Sequence, residues 1–177
     1  MVVLQEYDPR WPVLFESEAL RLRAAFGSLA LQIEHVGSTA VPGLAAKPVI
    51  DIQVSVASLA PHGRYVTALA GLGYRHVALG DFDLVYPFFH KPAEWPATHH
   101  VHLCEAAGEQ EWKHLAFRDH LRAHPRVAAR YESLKRELAR THDVSTPRSM
   151  EAYSLAKSEF VAEVLRAARD LKRNPAR

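Results

Sequence analysis

The sequence predicts an α+β fold, a mixed β-sheet packed by helices, and three observations support this prediction. Segments in which apolar and polar residues alternate, as is typical of strands, fill the first part of the chain. One helical pattern precedes them, and from residue 109 onward the apolar residues recur at helical spacing. The length of 177 residues is enough for one domain with its own hydrophobic core.

The first element is a helix from Pro12 to about Ser28. Pro12 suits the first turn of a helix, where its missing N–H leaves no hydrogen bond unmade. Strands are then expected over Leu31–Val36, with Leu31 and Ile33 facing inward, and over Val49–Val56. In the second strand, alternation directs Asp51, Gln53 and Ser55 to a polar face and four aliphatic residues to the core.

The next elements follow from the same patterns. A helix is expected over His62–Gly71, and the further strand candidates are Tyr74–Leu79, Leu84–His90 and His99–Cys104. The segment Lys91–Thr98 contains two prolines and is predicted to be a loop. The C-terminal part is helical, with candidates over Glu109–Ala123, Arg126–Thr141 and Arg148–Leu171, and Pro125 and Pro147 near helix starts.

Composition narrows the class of protein. A net charge of +2 does not favour nucleic-acid binding, and the single cysteine, Cys104, fits a reducing, cytoplasmic setting. We find no signal peptide and no apolar window of the length that a membrane helix needs. Residues 1–171 are interpreted as one domain and residues 172–177 as a disordered tail. A small phosphorylated ligand is the expected partner, and a homo-oligomer is compatible with the sequence.

The segment His35–Val54 contains the main functional motif. Gly37, Ser38 and Thr39 follow a strand and offer backbone N–H groups and hydroxyls, which can receive phosphate oxygens. Asp51 then lies on the polar face of the following strand, with Gln53 beside it. An ordinary turn with a serine cap is the alternative interpretation of the Gly-Ser pair.

This arrangement resembles nucleotidyltransferases of the polymerase-β type and, more closely, the GrpB family. The matching segments span nearly the whole chain and are YDPRW, HVGSTAVPGLAAKPVIDI, THHVHL, WKHLAFRDHLRAHP, YESLK and YSLAK. The resemblance implies a nucleotidyltransferase-like fold, nucleotide binding and a divalent metal, Mg²⁺ or Mn²⁺. GrpB-like domains also occur fused to dephospho-CoA kinases, which suggests a link to coenzyme A metabolism.

One departure from the polymerase-β pattern concerns the metal-binding carboxylates. That chemistry uses several carboxylates to hold two metal ions, and here Asp51 is followed by Gln53, which carries no charge. Asp51 and Gln53 are therefore the predicted catalytic pair of an incomplete transferase set. Where a further acid would be expected, the strand His99–Cys104 offers His100 and His102.

The histidines suggest a second ligand set. His100 and His102 lie on one strand face, where two imidazoles can bind a transition metal such as Zn²⁺ or Ni²⁺. Asp51 and His35 would complete that set. The alternatives are histidines that bond to their neighbours and, for His35, a place in the core.

Cationic and tyrosine side chains are candidates for binding phosphate. The alternative to phosphate binding is that the lysines lay their apolar stems along the surface and keep their charges in water, and that Arg118 forms an exposed ion pair with Asp119. The repeated Tyr-x-x-x-Lys spacing instead suggests a phosphate pocket closed over the sheet. The candidates are Lys47, Arg118, Tyr131, Lys135, Tyr153 and Lys157.

Three hypotheses follow. The first is a nucleotidyltransferase-like protein that binds a nucleotide or another phosphorylated small molecule with a divalent metal and transfers a nucleotidyl group to a small acceptor. The second is a domain without catalysis that binds a ligand or assists a partner. The third is a transition-metal site built from His35, Asp51, His100 and His102.

Overall fold

The structure, a computed structural model, describes residues 4–94, 96–141, 152–153 and 155–173. It confirms the α+β class, with one mixed sheet and helices that include a C-terminal one. Pro147 and the first residues of the predicted helix Arg148–Leu171 lie outside the described residues, as do residues 174–177. None of the helices in the described part of the chain combines the length and apolarity needed to cross a lipid bilayer.

The strands and helices lie close to their predicted positions. The strands are β1 (Ala30–Val36), β2 (Ile50–Val56), β3 (Arg75–Val77), β4 (Phe88–Lys91) and β5 (His99–Glu105). The helices are α1 (Trp11–Phe26), α2 (Gly63–Ala70), α3 (Glu109–Ala123), α4 (Pro125–Thr141) and α5 (Ser158–Arg173). Helix α5 thus extends two residues into the segment predicted to be a tail.

The five strands form one sheet in the order β1-β2-β5-β4-β3. The pairs β1–β2, β5–β4 and β4–β3 are antiparallel, whereas β2 and β5 run parallel. The polar residues of β2 therefore share one face of the sheet with alternate residues of β5: Asp51 lies opposite His100, and Gln53 lies opposite His102. This face is the one on which α3 packs.

The opposite face of the sheet forms the main hydrophobic core with α1 and α2. Ile52, Val54, Val101 and Leu103 of the two central strands are fully buried there. They meet a stripe of α1 whose members recur at helical spacing, namely Trp11, Phe15, Ala19, Leu22 and Phe26. Burial of this apolar surface is the principal stabilisation of the domain.

Two sequence predictions are wrong in detail. Leu31 does not face the core: it is 55% exposed because a β-bulge between Ala30 and Gln32 inserts one residue without a partner and turns it outward. The predicted strand Leu84–His90 begins only at Phe88, because residues Gly80–Leu84 form a 3₁₀ turn. The apolar residues at 84 and 85 are exposed on this connection.

A charged pair is buried between α1 and the edge of the sheet. Glu18 of α1 is 4% exposed and accepts hydrogen bonds from Lys91 Nζ and, at 3.0 Å, from the Tyr74 hydroxyl. Burial raises the pKa of Glu18, but the bonds from Lys91 and Tyr74 outweigh it and hold the pKa below the ordinary value of 4.5. The carboxylate is therefore ionised at neutral pH and stabilises the packing of α1 on the sheet edge.

We predict that Glu18→Ala lowers the free energy of unfolding by about 3 kcal/mol at pH 7, because it leaves Lys91 without its buried counter-ion. Urea denaturation measures this effect, and Glu16→Ala, at an exposed position of the same helix, is the matched control. Because the pKa of Glu18 is depressed, the loss must shrink as pH falls below about 4. Equal effects of the two substitutions would contradict this assignment.

Candidate functional site

The residues of the predicted site meet at one end of the sheet. The strand pairings bring Val36, the last residue of β1, beside Asp51 of β2 and set Asp51 beside His100 of β5. They also set His102 of β5 beside Phe88, the first residue of β4. A cavity of about 590 Å³ lies there, and α3 and α4 contribute to its walls. Eleven of the fourteen predicted site residues line it, namely Gly37, Ser38, Thr39, Lys47, Asp51, His100, His102, Tyr131, Lys135, Tyr153 and Lys157.

Gly37 allows the end of β1 to lie directly against Asp51. A Cβ atom at residue 37 would lie 2.4 Å from the Asp51 carboxylate, and the backbone adopts φ +70°, which other residues rarely take. Ser38 then begins a single 3₁₀ turn, and its side chain hydrogen-bonds to that of Tyr131. The glycine predicted for phosphate access thus has a second role, because it makes room for the carboxylate.

Asp51 contacts both histidines of β5. Its Oδ1 accepts a hydrogen bond from His100 Nδ1 at 3.0 Å and lies 3.6 Å from His102 Nε2. Burial raises the pKa of Asp51, but the hydrogen bonds with His100 and His102 outweigh burial and hold the pKa well below 3.8. Asp51 is therefore an ionised carboxylate, and its side chain remains 27% exposed to the cavity.

Gln53 lies outside the cavity, although the sequence suggested that it assists Asp51. It is fully buried, and its Oε1 accepts a hydrogen bond from His114 Nδ1 at 2.8 Å. Because an amide oxygen only accepts, the proton of His114 lies on Nδ1, and Nε2 accepts the hydroxyl proton of Tyr86. Burial lowers the pKa of His114 to about 3, so the ring is neutral.

His35 also lies outside the cavity, on the opposite face of the sheet from Asp51. It pairs with Ile52 across the β1–β2 ladder and stacks on Phe15 of α1, with ring centroids 4.8 Å apart. Its Nε2 lies 3.0 Å from the hydroxyl of Thr39, which donates to the carbonyl oxygen of Val49. His35 therefore donates to Thr39 and supports the turn after β1, so this core position does not suit a metal ligand.

Arg118 likewise lies outside the cavity. Its guanidinium donates to Glu34 at 2.7 Å, to Asp119 at 2.8 Å and to the carbonyl oxygen of His35 at 3.0 Å. Arg122, one turn later on α3, donates to the carbonyl oxygen of Ala40. Both arginines therefore fasten α3 to the end of β1 and the following turn, and Arg118 has no position from which to bind a ligand phosphate in the cavity.

Three lysines converge on the cavity from separate parts of the chain. The ammonium groups of Lys47 and Lys157 lie over the ring of Tyr153, at 4.8 Å and 4.2 Å from its centroid. Lys135 lies over the ring of Tyr131 at 4.9 Å and donates to the carbonyl oxygen of Ala45. Both Tyr-x-x-x-Lys pairs thus place a cation on an aromatic face at the cavity wall.

Burial disfavours the charged form of each of these lysines. It lowers the pKa of Lys47 to about 8 and, with repulsion from neighbouring lysines, the pKa values of Lys135 and Lys157 to about 7. Lys135 is only 2% exposed. Among the described residues that line the cavity, Asp51 alone is acidic. With the three lysines protonated and Asp51 ionised, these four side chains together carry a net charge of +2.

Tyr86, Phe88 and His114 also line the cavity, and sequence reasoning did not assign them to the site. Tyr86 stacks on His102 with centroids 5.1 Å apart, and Phe88 meets His100 edge to face at 4.9 Å. The alternation Tyr86, Phe88, His90 was the signal that could have indicated the two aromatic residues. No comparable pattern marked His114, whose position follows from the packing of α3 on the sheet.

Comparisons with known proteins agree in one assignment. The model of a family described as GrpB protein matches residues 1–167. A UPF0157 protein of Halalkalibacterium halodurans is 40% identical over 168 residues, which cover 94% of this chain and 82% of that protein. The crystal structure of conserved protein GrpB from Enterococcus faecalis is similar with a TM-score of 0.79 and 35% identity, covering 94% of this chain and 96% of that chain.

A further relative is a protein named dephospho-CoA kinase from Mycolicibacterium paratuberculosis. It is 32% identical over 186 residues, which cover 92% of this chain. The chain spans only 45% of the length of that kinase. The likeness therefore concerns one part of a longer protein.

We predict that Gly37→Ala destabilises the protein by about 1–3 kcal/mol more than Gly43→Ala, because its new Cβ must displace the Asp51 carboxylate. Gly43 is the matched control: its φ is +78°, but a Cβ there meets no atom within 4 Å. It therefore measures the cost of the backbone conformation alone, about 1–2 kcal/mol. Urea denaturation distinguishes the two, and equal losses would show that Gly37 serves the turn only.

Proposed function

The chain belongs to the GrpB family, and we propose that it binds a phosphorylated small molecule, with nucleotides as the first candidates, in the cavity at the end of the sheet. The observation that carries the proposal is the convergence of Lys47, Lys135 and Lys157 on a cavity in which Asp51 is the single acidic side chain among the described lining residues. Burial penalises the charged forms of Lys135 and Lys157, and a bound dianion would offset that penalty. A phosphate group supplies such a charge.

The shape of the cavity agrees with a ligand that carries an organic group beside its phosphate. A volume of about 590 Å³ is in the range of small-molecule sites. The lysines lie on the side of β1 and β2, whereas Val77, Leu79 and Phe88 line the side of β3 and β4. An anionic group and an apolar or ring group would therefore bind at opposite ends, with Asp51 between them.

Binding is better supported than two-metal nucleotidyl transfer. The transfer implied by the resemblance depends on metal ions held by several carboxylates. Among the described residues of the cavity wall, Asp51 is the single carboxylate, and the side-chain oxygen of Gln53 accepts a hydrogen bond from His114. A more specific version of the proposal is that the bound nucleotide is transferred to a small acceptor. Release of pyrophosphate from ATP during incubation with candidate acceptors tests it.

A second candidate function is assistance to a partner in coenzyme A metabolism. The observation that favours it is the relative named dephospho-CoA kinase, in which the matching part is less than half of the chain. Under this proposal, adding the protein to a dephospho-CoA kinase that lacks such a domain raises the kinase's thermal stability or rate. No change in either quantity would argue against it.

We predict that AMP and ATP bind the full chain in calorimetric titration and that adenosine, which lacks phosphate, binds at least 100-fold more weakly. Lys157→Met, which keeps the length of the side chain but removes the charge, weakens AMP binding at least tenfold. Lys113→Met, at a partly exposed lysine of α3 outside the cavity, is the control and leaves the affinity unchanged. Adenosine binding as tightly as AMP would refute the proposal.

The ligand-free protein should also gain stability when Lys157 is replaced. Burial lowers the pKa of Lys157 to about 7, with Lys47 lowering it further and Asp51 opposing the shift. The unfolded chain keeps this proton up to about pH 10, so the penalty is full below pH 7 and disappears as pH approaches 10. We predict that Lys157→Met raises the free energy of unfolding by about 1–3 kcal/mol at pH 7 and not at pH 10. A loss of stability at pH 7 would contradict the account.

A further inference from the structure

We propose that Asp51, His100 and His102 form a binding site for one divalent transition metal ion of the zinc and cobalt type, in place of a pair of magnesium ions. One ligand atom from each residue lies within 4.8 Å of the corresponding atoms of the other two. The Asp51 Oδ1 atom lies 3.0 Å from His100 Nδ1 and 3.6 Å from His102 Nε2. Two donors that each bind Zn²⁺ at about 2.1 Å lie roughly 3.0–3.5 Å apart, so the Asp51 oxygen already lies close to that spacing from each imidazole.

The sheet itself holds these donors in place. Parallel pairing sets Asp51 of β2 directly opposite His100 of β5, and the two-residue period of a strand places His102 on the same face. Tyr86 and Phe88 contact the two imidazole rings. Donors on paired central strands are better fixed than donors on loops, which favours a defined coordination geometry.

The chemistry of the donors selects the metal. Mg²⁺ prefers an octahedron of oxygen ligands, whereas two imidazoles and one carboxylate suit Zn²⁺, Co²⁺, Ni²⁺ or Fe²⁺. Carboxylate and amide oxygens nearby are engaged elsewhere: Gln53 accepts a hydrogen bond from His114, and Glu34, beside Gln53 on β1, binds Arg118. The residues present therefore do not fit a two-magnesium site.

The site opens onto the cavity. The side chains of Asp51 and His102 are 27% and 16% exposed, and both line the cavity wall. Three protein ligands leave at least one coordination position for water or a bound molecule, as in catalytic rather than structural zinc sites. A metal ion here would lie between the lysines and the apolar wall, within reach of a ligand in the cavity.

The test is a titration of the metal-free full chain, without a histidine tag and in a buffer free of phosphate, with Zn²⁺, Co²⁺ and Mg²⁺. We expect a stoichiometry of one Zn²⁺, an affinity for Zn²⁺ at least 100-fold greater than for Mg²⁺, and a visible absorption band with Co²⁺. Equal or tighter binding of Mg²⁺, or no binding of Zn²⁺ at millimolar concentration, overturns the proposal. Because no phosphate is present, this outcome is independent of the proposed function.

Two substitutions of His102 and one control at His99 test whether His102 is a ligand. His102→Ala should weaken Zn²⁺ binding at least tenfold, whereas His99→Ala, in the same strand but on the opposite face, should leave it unchanged. His102→Asp replaces an imidazole with a carboxylate and should lower the preference for Zn²⁺ over Mn²⁺ at least tenfold, with circular dichroism showing the fold intact. Equal losses at residues 99 and 102, or an unchanged metal preference in His102→Asp, overturn the proposal.

Discussion

The parallel pairing of β2 with β5 is the constraint on which the rest of the site depends. It sets Asp51 opposite His100 and Gln53 opposite His102, and at the same time it directs the intervening aliphatic residues into the core beneath α1. A slip of one residue would exchange these faces and bury the carboxylate among hydrophobic side chains. Core packing and site geometry are therefore fixed together, since both depend on the register of two buried strands.

Around this pairing, charges separate into those that hold the fold and those that face the cavity. The first group connects α3 to the end of β1 and the following turn: Arg118 binds Glu34, and Arg122 binds the carbonyl oxygen of Ala40. The lysines of the cavity instead lie on tyrosine faces, and their pKa values are depressed by burial. A fold that keeps such cations buried stores free energy that an anionic ligand can recover, which is why the cavity supports a binding function.

The sequence predicted the elements well because the periodicity of apolar residues reports which face is buried. It located the turn at Gly37 and the polar face at Asp51 for the same reason. It could not distinguish Lys157 from Arg118, because whether a cation meets a ligand or a neighbouring carboxylate depends on contacts distant in the chain. His35 was misplaced because nearness to Gly37 in sequence does not decide the face. His114 was not identified, because its role depends on how α3 packs on the sheet.

The central claim is that the phosphate of a ligand binds the buried lysines and neutralises their charge. Calorimetric titration with AMP at pH 8.5, in buffers of different ionisation enthalpy, tests it most directly, because a phosphate monoester with a pKa near 6 is already fully ionised. We expect net proton uptake by the protein, since lysines with pKa values of about 7 and 8 must protonate beside the phosphate. Binding without proton uptake, or with proton release, would contradict it.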